Sequence, residues 1–153
     1  MTALTENLGE RLNSILEKNY DAEKGYGKAS KKARAKSLIS WFNDRTVERH
    51  QFVKELKEII MTLGYPAEKR GSVTGDLHRT WMDLRALFAT DTDEALLHEA
   101  VRGERAAMQE YQEILGKDDL SPTLKLLLQS HKRQMEKALL LLEELESIEF
   151  KRE

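Results

Sequence analysis

Three glutamates and one histidine set the chemistry this chain could perform. Glu23, Glu48, Glu104 and His131 each interrupt an apolar helical stripe or sit beside one. Carboxylate oxygens with an imidazole nitrogen form the donor set of a divalent-metal site, suited to iron or manganese. Glu104 is the sharpest of the four. Leu97, Ala100, Val101, Ala107, Met108, Tyr111, Ile114 and Leu115 recur at three-and-four spacing, and Glu104 falls on their face. A carboxylate there must be paired, protonated or metal-bound, because an isolated buried charge costs too much.

Four long helices must carry these groups. The first has the stripe Leu8, Leu12, Ile15, Asn19, Ala22, Tyr26, Ala29 and Ala33, with Thr2 or Thr5 as cap and a break near residues 31–34. The second runs from Lys36 to Leu63 through Leu38, Phe42, Phe52, Leu56, Ile59 and Ile60, and Gly64 and Pro66 end it. The third spans Asp93 to Leu115 with Asp93 as its cap. The last opens on Ser121-Pro122, a capping residue followed by proline at the first helical position. Its stripe includes Leu124, Leu128, His131, Gln134, Met135, Ala138 and Leu142. Between the second and third helices, Gly71 to Gly75 form a loop, and Leu77, Trp81, Leu84 and Phe88 mark a shorter fifth helix. A helix of about 16 residues is about 24 Å long, so it can carry the chain back along the bundle before the third helix starts.

Counting from the turns, Glu23, Glu48, Glu104 and His131 all fall ~16 to 21 Å along their helices, which predicts one shared layer. Gln51, Gln134, Tyr26, Tyr111 and Arg45 lie around it as weaker or supporting members. Two readings stay open. In one, Glu23, Glu48 and Glu104 supply oxygen ligands and His131 a nitrogen ligand. In the other, Arg45 or Arg49 neutralises the glutamates and the layer fixes helix register without metal.

The spacing resembles that of ferritin-like carboxylate bundles, with single glutamates on two helices and Glu-x-x-His on the other two. Glu23 and Glu104 match the single positions. Glu48-Arg49-His50-Gln51 matches in its glutamate and carries Gln51 where histidine is expected. His131-Lys132-Arg133-Gln134 matches in spacing. Over nearly its whole length the chain resembles a bacterial family of ferritin-like four-helix-bundle proteins catalogued as a domain of unknown function. Asp21-Ala22-Glu23-Lys24-Gly25-Tyr26, Glu48-Arg49-His50-Gln51-Phe52, residues 71–84 and Arg102-Gly103-Glu104 carry that resemblance. It implies an all-α, ferritin-like four-helix bundle with a long crossover containing a fifth helix, as a single domain over residues 1–153. It also implies a homo-oligomer and, if the bundle is an enzyme, an oxygen- or iron-handling oxidoreductase.

Composition narrows the partners. The 153 residues are 34% charged and 40% hydrophobic, with two prolines, as expected of a helical protein free of membranes. A net charge of -2 gives no global pull on nucleic acid. The run Lys24, Lys28, Lys31, Lys32, Arg34 and Lys36 is basic, but Glu143, Glu144, Glu146 and Glu149 are expected to finish at the same end and cancel it. The chain has no cysteine and therefore no thiol chemistry, and its N-terminus lacks a signal-peptide pattern, so a cytoplasmic setting is expected. No Ser-His-Asp or dinucleotide pattern occurs. For a metal-free protein that binds a protein partner, Trp41 and Trp81 are the candidate anchors.

Overall fold

Two antiparallel hairpins make up the bundle. In the computed structural model, which describes residues 8–68, 81, 92–117 and 119–149, four helices and no strand occur among the described residues. They are α1 (Leu8–Lys32), α2 (Lys36–Thr62), α3 (Asp93–Leu115) and α4 (Pro122–Glu149). A short turn after Lys32 folds α2 back along α1. The turn around Gly116 does the same for α3 and α4. The most extensive packing is within these hairpins. No helix among the described residues is long and apolar enough to cross a membrane.

The order of the hairpins follows from one side chain. Asp93, at the start of α3, accepts hydrogen bonds from the Arg34 and Ala35 amides at 2.9 and 2.8 Å, in the turn between α1 and α2. The third helix therefore begins at the end where the second began, as expected of a long crossover, and α2 and α3 run parallel. The cap differs from expectation. Thr92 occupies that position, its hydroxyl accepting from the Ala95 amide at 3.1 Å, while the Asp93 carboxylate serves the other hairpin. Ser121 does cap α4, accepting from the Leu124 amide at 3.2 Å. The fifth helix, the Gly71 to Gly75 loop and the Thr2 or Thr5 cap lie outside the described residues.

After α2, Gly64 takes a positive φ of 91°, which glycine adopts without strain. The chain then folds back on α1. Asn13 donates to the Pro66 carbonyl at 2.7 Å and accepts from the Glu68 amide at 2.8 Å. The Tyr65 ring lies over Gly9, where a Cβ would come within 2.4 Å of it.

The interior has two apolar ends. One is branched and aliphatic, with Leu12, Ile15, Leu16, Leu56, Ile60, Ile114, Leu124 and Leu128. The other sets Ala22, Ala29, Ala33, Ala100 and Ala138 against Tyr26, Trp41 and Phe42. Trp41 fills the space the alanines leave and donates to the Ala138 carbonyl at 2.9 Å. Both tryptophans are core residues, 4% and 2% exposed, so the expectation that they anchor a partner is corrected. Each large ring had a gap to fill, and burying it removes ~150–250 Å² from water.

Candidate functional site

Between the two apolar ends runs a hydrogen-bonded chain of buried polar groups. Glu104 on α3 is fully buried, and its Oε2 receives Nη2 of Arg49 on α2 at 2.6 Å. The Tyr26 hydroxyl on α1 donates to the same oxygen. Arg49 Nη1 donates to Oδ1 of Asn19 at 3.3 Å. The Asn19 amide donates to the Ile15 carbonyl at 2.9 Å and to the Tyr111 hydroxyl at 3.2 Å. Tyr111 reaches His131 Nδ1 at 2.8 Å, and His131 Nε2 reaches Glu55 Oε1 at 2.8 Å.

The donors run outward from one cation. Asn19 already donates to the Tyr111 oxygen, so the Tyr111 proton goes to Nδ1 of His131, and the neutral Nε2–H tautomer donates to Glu55. Arg49 is thus tied to two carboxylates, to Glu104 directly and to Glu55 through Asn19, Tyr111 and His131. Glu55 is the solvent end, with its side chain 34% exposed. The Phe52 ring lies flat on His131 at 3.8 Å between centroids. Trp81 covers the flank, its ring 5.6 Å from the Arg49 guanidinium carbon and its Nε1 donating to Glu110 at 3.1 Å. Lys18 pairs with that glutamate at 2.5 Å.

Burial sets the protonation behaviour. Burial pushes the Tyr26 hydroxyl well above its ordinary pKa, and the neighbouring Glu104 charge adds to the effect. Tyr111 also rises, again chiefly by burial. For Arg49, burial alone would lower the value, but Glu104, Tyr26 and Glu48 more than offset it and the net direction is up. Burial raises Glu48 against the opposing pull of Arg45 and Arg49. His131 is pushed down to about 4 by burial, with Glu55 only partly opposing the shift. The interior therefore holds a charged pair at one level and a neutral imidazole at another.

The four residues expected to share one metal are placed with separate partners. Glu23 faces outward and pairs with His50 at 3.0 Å. Glu48 pairs with Arg45 at 3.0 Å. Glu104 holds Arg49 and Tyr26, and His131 holds Glu55 and Tyr111. The common depth is also corrected. Glu104 is level with Tyr26 and Arg49, whereas His131 is level with Asn19, Glu55 and Tyr111. Six or seven residues separate the levels on each of α1, α2 and α3, which amounts to about 10 Å. Counting from turns could not resolve that offset. No group of three or more His, Asp or Glu placed to hold one ion occurs among the described residues. At Glu104 the Arg49 guanidinium and the Tyr26 hydroxyl both occupy Oε2.

Of the supporting residues, Tyr26 and Tyr111 are in the chain and Arg45 is bound to Glu48. Gln51 and Gln134 are exposed and bond along their own helices, to Glu55 at 3.1 Å and to the Ser130 hydroxyl at 3.2 Å. Two members escaped the sequence reading. Asn19 was legible only as a polar residue on an apolar stripe. Glu55 carried no signal beyond standing one turn after Gln51, because its importance comes from a histidine 76 residues away.

Two acids of α4 meet α3, Glu143 binding Arg105 at 2.7 Å and Glu146 reaching His98 at 3.1 Å. Lys24, Lys28 and Lys31 line an open groove of about 410 Å³ with Tyr20, Glu23, Gly27 and Thr46.

Fold and site together define a helical bundle with a hydrogen-bonded chain of polar groups buried between its two apolar ends. The chain belongs to the family described as Domain of unknown function (DUF2383), whose model matches residues 7–117. The matched span holds α1 to α3, with Arg49, Glu104 and the Tyr26 and Tyr111 hydroxyls, and α4 with His131 lies beyond it. A search of curated proteins finds no match.

Proposed function

We propose that this chain is a ferritin-like bundle acting as a self-associating helical module, with a structural polar layer in its interior. One observation carries the reading. The Arg49 guanidinium stands 2.6 Å from Glu104, supplying the counter-charge that a metal would supply in a carboxylate bundle. The long crossover supports the ferritin-like comparison in topology. A cysteine-free composition suits a reducing cytosol, where the module would act. In this reading the layer performs no chemistry. It fixes the height of each helix, because sliding any of them by a turn would strand a buried charge.

A second reading rests on a specific atom. Oε1 of Glu104 is buried and accepts no hydrogen bond among the described residues, whereas Oε1 of Glu48 already faces Arg45 Nε at 3.0 Å. That Glu104 oxygen is the feature that favours a divalent cation, iron or manganese, with Glu48, Glu23 and His131 brought in by rearrangement. Such a site would give an oxygen- or iron-handling protein.

Elemental analysis and anaerobic iron titration of tag-free protein, beside Glu104→Ala, separates the two. The structural reading expects no saturable binding and a large loss of stability in the variant. Stoichiometric binding that Glu104→Ala abolishes would overturn it in favour of the metal.

A further inference from the structure

The outer face of α4 carries an apolar stripe that the bundle itself does not use. Leu126, Leu140, Leu141 and Ile148 are 64, 64, 54 and 61% exposed. At 100° per residue they fall, with Arg133, Lys137 and Glu144, inside an arc of about 100°. That arc is opposite the buried face of Leu124, Leu128, His131, Met135, Ala138 and Leu142. The crossover does not reach it where it is described. Trp81 sits over α2 and α3, against Arg49, Glu110 and Arg102.

We infer that this stripe is a two-fold interface in which α4 packs antiparallel against α4 of a second copy. The charges on the stripe select that occupant. In an antiparallel pair with its axis between Leu140 and Leu141, residue 140 faces 141 of the partner copy and residue 137 faces 144. Lys137 then meets a glutamate, Glu144 meets a lysine, and symmetry makes both contacts twice. Leu140, Leu141 and Ile148 form the apolar centre, with the aliphatic stem of Arg133 laid against Ile148. Leu126 lies outside the paired segment. Lys137 and Glu144 are exposed and have no ion-pair partner among the described residues, so neither must break an existing pair. A parallel arrangement would stack like on like along the seam and lose this match.

The inference rests on the self-association reading above and names its surface. Sedimentation of the full chain tests it, using wild type, Lys137→Glu, Glu144→Lys, the combined swap and Leu141→Lys. All four variants change an exposed face, and melting curves near wild type would show that the fold is intact. The expected result is a dimer that each single charge reversal weakens by roughly tenfold and the combined swap restores. Leu141→Lys should abolish it. A dimer indifferent to every α4 variant would overturn the interface and leave self-association standing. A combined swap as weak as the singles would overturn the register. A wild-type chain that stays monomeric at high concentration would remove both.

Discussion

At the level of Glu104 the bundle encloses a full negative charge and its counter-charge. About 10 Å along, at His131, it encloses a neutral ring whose far nitrogen touches a carboxylate at the surface. Both levels are sealed by aromatic rings and both belong to one hydrogen-bonded chain. They differ in where the charge resides. Arg49 and Glu104 are each at most 1% exposed and form a buried ion pair. His131 is equally buried but carries no charge, and its charged neighbour Glu55 keeps a third of its surface in water. Breaking the first level strands an ion. Breaking the second loses a hydrogen bond.

The largest expected effect follows directly. Glu104→Ala leaves the Arg49 guanidinium buried without a counter-charge and should destabilise the protein by about 3–5 kcal/mol. Arg49→Met should cost a similar amount. The double variant Arg49→Met with Glu104→Leu should cost far less than the sum, because no ion remains. Urea unfolding of both singles and the double gives the coupling directly. Additive losses would show that the two levels do not differ in this way.

A pH titration sharpens the contrast. The folded-state pKa of His131 is about 4, below the ordinary value of 6.5. Between those values the unfolded chain holds a proton that the folded chain excludes, so His131 destabilises the fold as pH falls through that window. Above it the contribution is absent. Melting temperature should therefore drop from pH 6.5 towards 4 more steeply in wild type than in His131→Gln. Parallel profiles would mean that the imidazole is not held neutral.

Glu55 should matter least. Glu55→Gln keeps an acceptor for His131 and exchanges a half-solvated charge for a neutral amide, so the expected change in stability is within about 1 kcal/mol. A loss approaching that of Glu104→Ala would erase the distinction between the levels.

Much of this was legible beforehand, for definable reasons. The helices follow from apolar spacing, from Gly64 and Pro66 after α2, and from Ser121-Pro122 before α4. Glu104 stood out because a carboxylate on an apolar stripe must find a partner. The misreadings share one cause, which is rotation and height. Glu23 is one residue from Ala22 on the helix, and 100° of rotation is enough to send it out to His50 instead of inward. Trp41 looked like an edge residue until the alanines on α1, α3 and α4 left room for it. His131 was assigned the level of Glu104 because distances counted from turns ignore how each turn is built.

From its residues alone, this chain was committed to four amphipathic helices, a long connection in their middle and a buried charge requiring neutralisation. Burial cost and helical periodicity act along a single chain and need no knowledge of neighbours. What met that charge was decided only when the helices packed. Arg49 and Tyr26 stand at Glu104, and His131 lies two turns away with Glu55, because the partner of a buried group is chosen by height and rotation between helices. Those two quantities arise from the interlocking of side chains far apart in sequence.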